Sequence, residues 1–286
     1  MLRLLLLIAL FFSCNDSEDV TYPPVNLNLD PSGIYKPTKK GVAFNKTYSN
    51  TWDTKFQLLN PVWHYSWNWE LLEEYPEGVE FVPMIWDERN VNEENLSYLE
   101  DLANDGSINY LLGFNEPDLI SQANMTVEEA IALWPDLESV GVPLGSPVTA
   151  SISSTWFSDF MSRAAEENLR IDFVAVHIYD VSNVDIFVQK LEEVFEKYGK
   201  PIWITEFALR DWRADNNNPN RYSEEDVLLF MQQLLPRLEE LDFVHRYAWF
   251  DTSPNNPNYE KLRTADLITE NNQLTSLGAY YSSFIP

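Results

Sequence analysis

The chain has 286 residues, which is enough for one large domain, and 45 Asp and Glu against 19 Lys and Arg give a net charge of −26. So acidic a protein would repel polyanions, which argues against nucleic acid and polyanionic substrates as its partners. Many of the 10 Trp, 14 Tyr and 16 Phe residues will pack in a core, but aromatic faces also stack well on sugar rings. The composition therefore suits an extracellular protein with a neutral substrate.

Residues 1–13 have the form of a secretory signal peptide. A basic residue, Arg3, precedes an apolar run that is too short to span a bilayer. Cys14, the single cysteine of the chain, follows this run directly and resembles the lipidated cysteine of bacterial lipoproteins. We expect Cys14 to carry a lipid that anchors the secreted protein to the bacterial outer membrane, with the cell surface as one possible side. The alternative is an ordinary signal peptide with an incidental cysteine.

Residues 14–38 are polar and contain Pro23, Pro24, Pro31 and Pro37. This composition predicts a flexible, extended tether without a packed core of its own. Residues 39–286 then form a single domain.

Short apolar runs alternate with amphipathic segments from Lys40 onward. The predicted strands are residues 41–44, 61–67, 79–86, 108–115, 143–147, 173–179, 201–207 and 243–250, and the clearest helices are 92–104, 126–140, 183–198 and 223–241. This alternation is typical of parallel sheets in α/β proteins, and eight strands predict a single (β/α)8 TIM barrel. A doubly wound open sheet is the alternative, but the chain has no glycine-rich phosphate loop to support it.

Two glutamates lie where predicted strands end. Glu116 closes strand four and is followed by Pro117, and we expect it to be extended because proline disfavours helical conformations in its predecessor. Glu206 lies near the end of strand seven, within the apolar run 201–207. Barrel enzymes build their active sites at the carboxyl ends of strands, and buried carboxylates are costly unless they serve a purpose. We therefore predict that Glu116 and Glu206 face each other across the barrel mouth.

A facing pair of carboxylates is the chemistry of glycoside hydrolysis. One carboxylic acid protonates the leaving oxygen, and the other carboxylate attacks the anomeric carbon or activates water. The three histidines, His64, His177 and His245, are scattered without the spacing of metal ligands, so we expect neither a metal nor another cofactor.

Five motifs resemble glycoside hydrolase family 128. They are Leu112-Gly113-Phe114-Asn115-Glu116-Pro117-Asp118, Phe81-Val82-Pro83-Met84-Ile85-Trp86, Ala175-Val176-His177-Ile178-Tyr179, Pro201-Ile202-Trp203-Ile204-Thr205-Glu206-Phe207 and Arg246-Tyr247-Ala248-Trp249-Phe250. The resemblance implies a retaining endo-β-1,3-glucanase on a (β/α)8 barrel. It also implies that Glu116 is the general acid/base, that Glu206 is the nucleophile and that Asn115 binds the 2-hydroxyl of the sugar being cleaved.

Further residues are candidates for substrate contacts. His177 and Tyr179 share one face of strand six by period-two alternation and could orient Glu206 or meet the substrate, although a core histidine is an equal alternative. Strand two ends in Trp67-Asn68-Trp69, which resembles the family's aromatic-Asn-Trp motif. Trp67, Trp69, Trp86 and Trp249 lie at or near strand ends and are candidate sugar platforms.

Two other functions remain open at this point. One is a glucan-binding lipoprotein that uses the same barrel without catalysis, and the other is a retaining glycosidase for a different β-linkage. The presence of both Glu116 and Glu206 argues against the glucan-binding lipoprotein. In each case the expected partners are a polysaccharide and a membrane, and the protein is expected to be a monomer.

Overall fold

A computed structural model describes residues 39–43, 52–76, 78–250 and 259–285. The signal peptide, the lipidated Cys14 and the tether predicted for residues 1–38 lie outside these ranges. Among the described residues, no helix combines the length and the apolar character needed to cross a membrane.

Strands and helices alternate along the chain. The strands are β1 (Lys40–Ala43), β2 (Trp63–Tyr65), β3 (Glu80–Phe81), β4 (Val174–Ile178), β5 (Ile202–Phe207) and β6 (Val244–Phe250). The helices are α1 (Trp52–Leu59), α2 (Glu93–Asn104), α3 (Val127–Ser139), α4 (Thr155–Glu166), α5 (Val184–Tyr198), α6 (Glu224–Glu240), α7 (Tyr259–Leu262) and α8 (Ser276–Ser283), and 3₁₀ turns lie at Glu88–Asn90 and Arg263–Ala265.

The sheet closes on itself as a barrel. Six strands pair in the order β3-β2-β1-β6-β5-β4, and every pairing is parallel. Residues 111–115 and 144–148 complete the ring between β3 and β4 through the parallel bridges Met84–Leu112, Leu111–Leu144, Asn115–Val148 and Gly145–Phe173. These two segments are the predicted strands four and five, so the (β/α)8 barrel predicted from the sequence is confirmed.

Prolines explain why strands four and five are joined by single bridges rather than by regular ladders. Pro83, Pro143 and Pro147 have no backbone N–H and therefore cannot donate to a neighbouring strand. The remaining groups still bond across the gap, for example from the Leu112 amide to the Pro83 carbonyl at 2.9 Å. The ring is therefore closed without a continuous hydrogen-bond pattern.

The barrel interior is filled by aromatic side chains that pack against glycines. Trp63, Phe173 and Trp203 are buried in the inner cluster, and the Trp203 ring stacks on Phe173 with 4.2 Å between ring centroids. A Cβ atom at Gly41 would overlap the Trp63 indole, and one at Gly145 would overlap the Phe173 ring. This filling closes the lower part of the barrel, so polar chemistry is confined to its mouth.

The predicted helix starts are confirmed by their caps. Thr126 and Glu129 form the capping box that begins α3, and the side chains of Asn92 and Asn183 cap α2 and α5. These helices pack on the outside of the barrel and hold the ends of the strands in place.

Candidate active site

Glu116 and Glu206 come together at the carboxyl ends of their strands, together with His177 from β4. One side-chain ligand atom from each of the three residues lies within 4.8 Å of the other two. The Glu206 side chain is 7% exposed and that of Glu116 is 13% exposed. The pair is thus enclosed, with Glu116 the more open of the two to a ligand in the barrel mouth.

A β-bulge turns Glu206 into the barrel. Val176 of β4 pairs with Ile204, but the next residue, His177, pairs with Glu206, so Thr205 is the extra residue on β5. Strict alternation from the inward-facing Trp203 would direct Glu206 outward toward the helices. The bulge reverses this parity and places Glu206 beside His177, as bulges next to active sites often re-aim a side chain.

Glu116 does not have the extended conformation expected before Pro117. Its φ is +44°, in a region that residues other than glycine seldom adopt. The last bridge of this strand is at Asn115, and the Glu116 amide still donates to the Val148 carbonyl at 2.6 Å. The chain therefore turns at Glu116 itself, and such strain typically occurs where a fold must hold a functional side chain.

Three aromatic residues donate hydrogen bonds to Glu206. The Trp67 Nε1 atom donates to Oε1 at 2.7 Å, and the Tyr179 hydroxyl donates to Oε2. The Tyr65 hydroxyl lies 3.3 Å from Oε1 and 3.0 Å from the Thr205 carbonyl oxygen, so its proton is shared between them. Both carboxylate oxygens thus face donors, which fixes the group in one orientation and favours its ionised form.

Opposing effects act on the protonation of Glu206. Burial raises its pKa and the Glu116 charge adds to that rise, whereas His177 and the bonds from Tyr179 and Trp67 lower it, and the net pKa is raised. The same burial and the Glu206 charge raise the pKa of Tyr65 and of Tyr179, so both hydroxyls keep their protons and remain donors.

His177 lies between the two glutamates. Its Nδ1 atom is 3.1 Å from Glu116 Oε1, and its Nε2 atom is 3.4 Å from Glu206 Oε1. Burial lowers the pKa of His177, but the charges of Glu206 and Glu116 outweigh that effect and the pKa is raised. A proton on this ring would therefore be held by both carboxylates, which favours a site role for His177 over the core alternative.

The trio of Glu116, His177 and Glu206 also has donor atoms close enough to hold a metal ion. However, three donors from Trp67, Tyr65 and Tyr179 already point at the Glu206 carboxylate. Protons directed at a carboxylate repel a cation, but its two oxygens offer about four lone-pair sites, so one stays free to react at carbon. The arrangement therefore suits a nucleophile better than a metal ligand.

Asn115 is buried beside the pair and has an acceptor that is not used. Its side-chain oxygen has no hydrogen-bond partner among the residues that the structure describes, although the residue is only 3% exposed. Buried acceptors without partners are uncommon and need an explanation. A hydroxyl of a bound ligand would supply the missing donor.

The candidates Asn68 and Trp69, after strand two, and Trp86, at the end of strand three, lie near the site but differ in their contacts. Asn68 stabilises the turn that follows β2. Its side-chain oxygen accepts from the Trp69 amide at 2.9 Å, and its carbonyl accepts from the Met84 amide at 2.9 Å. Trp69 is partly buried and packs edge-on against Tyr98 of α2. Trp86 is partly buried, and its carbonyl accepts from the Asn115 amide at 3.0 Å, so it adjoins the site. A sugar-binding role for Trp69 and Trp86 stays a prediction.

Trp249 is not a sugar platform, and that prediction is wrong. Its side chain is fully buried, its Nε1 atom donates to the Ala265 carbonyl at 2.9 Å, and its ring packs edge-on against Phe207. The indole faces away from the barrel axis toward the outer layer, so no face is left for a ligand.

Replacing Trp249 by alanine should therefore lower the free energy of unfolding by about 3–5 kcal/mol, the usual cost of deleting a buried aromatic side chain. Denaturant unfolding of the variant and of wild type measures this difference. Leu229→Ala, at a position that is 53% exposed on α6, is the control and should change stability little. An unchanged stability for Trp249→Ala would contradict the core assignment.

Tyr65 is a site residue that the sequence motifs did not identify. Trp63, Tyr65 and Trp67 lie two residues apart, so alternation directs all three to the same inner face. His64 between them points outward, where Phe56 and Tyr75 pack edge-on at 4.6 Å from its ring. Burial lowers the pKa of His64 to about 3, which fits a neutral structural histidine. The alternation alone could have identified Tyr65.

Comparisons with known proteins agree on one family. Residues 41–281 match the family described as the glycosyl hydrolase catalytic core. An endo-β-1,3-glucanase of glycoside hydrolase family 128 from Amycolatopsis mediterranei, solved with laminaritriose, is 33% identical, covers 86% of this chain and 99% of its own, and superposes with a TM-score of 0.73. A curdlan-specific exo-β-1,3-glucanase from Blastomyces gilchristii is 29% identical, covers 87% and 100% of the two chains, and superposes with a TM-score of 0.66.

A curated relative is alkali-sensitive linkage protein 1 of Schizosaccharomyces pombe, which is 33% identical over 223 residues. The match covers 74% of this chain but only 38% of that protein. The extent of the family match and the identity to the solved enzymes decide the classification. The chain belongs to the glycosyl hydrolase catalytic core family and, within it, to glycoside hydrolase family 128.

Proposed function

We propose that this protein is a retaining glycoside hydrolase that cleaves β-1,3-glucan. The observation that carries the proposal is the carboxylate pair, whose nearest oxygens lie within 4.8 Å. Retaining glycosidases hold their two carboxyl groups about 5–5.5 Å apart, whereas inverting enzymes need about 6.5–9.5 Å to place a water molecule. The short separation between the two carboxylates supports a retaining mechanism.

The hydrogen bonds to Glu206 support a different role for each glutamate. Glu206 is held by donors on both oxygens and is the nucleophile, so one of its oxygens bonds to the anomeric carbon. Glu116 is the acid that transfers a proton to the leaving oxygen as the glycosidic bond breaks. In the second step a water molecule attacks the anomeric carbon, its proton passes to Glu116, and the Glu206 carboxylate leaves.

Asn115 is assigned to the 2-hydroxyl of the sugar being cleaved. Its unpartnered side-chain oxygen supports this role, because the hydroxyl would donate to it. Such a contact strengthens in the transition state, so its loss appears mainly in kcat.

Asn115→Ala should lower kcat on laminarin by about 10²-fold or more and change KM little, as expected for a contact made mainly in the transition state. Steady-state kinetics of the variant and of wild type measure both constants. Asn109→Ala, in an exposed asparagine just before the start of the same strand, is the matched control. A normal kcat in Asn115→Ala would mean that Asn115 only shapes the turn.

The substrate assignment rests on the relatives and on the aromatic residues that surround Glu206. The solved relatives include both endo-acting and exo-acting β-1,3-glucanases, and several are complexes with laminarioligosaccharides. We assign endo action because the more similar solved enzymes are described as endo-acting.

Reducing-sugar release across a panel of laminarin, curdlan, mixed-linkage glucan, cellulose and xylan tests the proposal. Wild type should act on laminarin and curdlan, and the Glu116→Gln/Glu206→Gln protein should act on none. Release from cellulose or xylan in preference to laminarin would indicate another linkage. Binding of laminarin without any cleavage would indicate a glucan-binding protein instead.

We also propose that the protein is a lipoprotein that works as a monomer. The signal-like residues 1–13 and the single Cys14 support the anchor, and residues 14–38 would hold the barrel away from the membrane. A single acyl chain anchors a protein only marginally, but the multiple acylation usual for such lipoproteins should hold firmly. One chain supplies both glutamates and all three donors to Glu206, so the site needs no second copy.

Cys14→Ser should move the protein from the membrane fraction to the soluble fraction when it is expressed in a Gram-negative host, because the lipid attachment point is lost. Immunoblotting of the two fractions measures the distribution, and Ser13→Ala, one residue earlier, is the control. Equal partitioning of wild type and Cys14→Ser would refute the anchor.

A further inference from the structure

Trp212 is an exposed aromatic residue on the same side of the barrel as the catalytic pair. It lies in the loop that follows β5, five residues after Phe207, and 54% of it is exposed. The Arg210 guanidinium lies 3.6 Å from the centroid of the Trp212 ring and covers one part of it. An exposed indole presents a large, flat apolar face that a ligand can cover.

The loop around Trp212 is fixed by the preceding residue. Asp211 is 4% exposed, and its side chain accepts from the Arg221 amide at 2.9 Å and from the Arg213 amide at 3.2 Å. The Asp211 amide donates to the Lys261 carbonyl at 3.0 Å. These bonds join three parts of the chain, so the backbone on both sides of Trp212 is held before any ligand arrives.

Arg210 connects Trp212 to the catalytic centre. Its amide donates to the Tyr179 carbonyl at 2.9 Å, and its guanidinium lies 5.7 Å from the Tyr179 ring. Tyr179 in turn donates to Glu206. Burial lowers the pKa of Arg210, and the opposing contributions come from Tyr179, Glu116 and Glu206, so the guanidinium lies within electrostatic reach of the pair. Two side chains thus separate the Trp212 ring from the nucleophile.

We propose that Trp212 is a binding platform for a glucosyl residue of the glucan next to the residue that is cleaved. The inference rests on the proposed function and adds a subsite to it. In β-glucose the hydroxyls are equatorial, so axial C–H groups cover both faces of the ring. These weakly positive groups match the negative face of an indole, while the Arg210 contact holds the indole in one orientation.

Affinity for laminarihexaose tests the platform without the need for turnover. Glu206→Gln provides an inactive parent, and isothermal titration calorimetry compares it with the double variants that add Trp212→Ala, Trp212→Phe or Leu229→Ala. Trp212→Ala should weaken binding about tenfold or more, by analogy with the stacking of bases on aromatic residues. Trp212→Phe keeps an aromatic face and should stay within about threefold of the parent.

The Leu229→Ala double variant is the control, because Leu229 is 53% exposed on the outer surface of α6, and it should bind as the parent does. Thermal unfolding should be the same for the Trp212→Ala variant and the parent, since the ring is exposed. Parent-like affinity in Trp212→Ala would overturn the platform and leave the proposed function standing. Failure of the Glu206→Gln parent itself to bind laminarihexaose would overturn both.

Discussion

Glu206→Gly is expected to lower the turnover of laminarin by roughly 10⁴- to 10⁶-fold, the range found when a central residue of a hydrolase triad is removed. The reason is that Glu206 supplies the oxygen that bonds to the anomeric carbon, and its neighbours Trp67, Tyr65 and Tyr179 are protonated donors. Steady-state kinetics on laminarin measure the loss. The matched control is Glu239→Gln, at a partly buried glutamate that accepts from the Tyr247 hydroxyl at the opposite end of the barrel.

Azide provides a positive test of the same variant. The space left by the Glu206 side chain admits a small anion, which can attack an activated β-glucan glycoside from the nucleophile's side. The product should be the α-glycosyl azide, which NMR identifies by its anomeric coupling. A Glu206→Gly protein that keeps more than about a tenth of wild-type turnover would contradict the nucleophile assignment.

Glu116→Ala is expected to discriminate between substrates by their leaving groups. Cleavage of laminarin should fall by about 10²- to 10⁴-fold, the usual contribution of a general acid. A dinitrophenyl glycoside should form the glycosyl-enzyme at a nearly normal rate, because its leaving group needs no proton. Pre-steady-state release of the phenol measures that step, and added azide should yield the β-azide.

The control for this experiment is Glu116→Gln, which keeps the size of the side chain but cannot transfer the proton. It should show the same dependence on the leaving group as Glu116→Ala. An equal loss on laminarin and on the dinitrophenyl substrate, in both variants, would mean that Glu116 only positions His177 or the substrate.

The barrel and the partnership of the two glutamates could be predicted from the sequence. Eight apolar runs separated by capped helices leave few alternatives to a closed parallel barrel, and the structure completes the ring through residues 111–115 and 144–148. The period-two alternation of β4 correctly placed His177 and Tyr179 on one face, and both lie beside Glu206.

The local geometry of the site was harder to predict from the sequence, because it depends on departures from the regular alternation of side-chain directions along a strand. The extra residue at Thr205 reverses the direction of Glu206, and no feature of the run 201–207 predicts a bulge there. Glu116 turns with φ at +44° although Pro117 follows, so the packing at the barrel mouth overrides the local preference. Trp249 looked like a strand-end aromatic, but its register on β6 directs it outward into the core.

The stereochemistry of the first product tests the retaining mechanism most directly. Proton NMR spectra recorded during the first minutes of laminarin hydrolysis by wild-type protein distinguish the α and β anomers at the new reducing end, before mutarotation mixes them. One oxygen of Glu116 and one of Glu206 lie within 4.8 Å of each other. This leaves too little space for an attacking water between nucleophile and sugar, so the β anomer should appear first. Initial appearance of the α anomer would contradict the mechanism and the role of Glu206 in it.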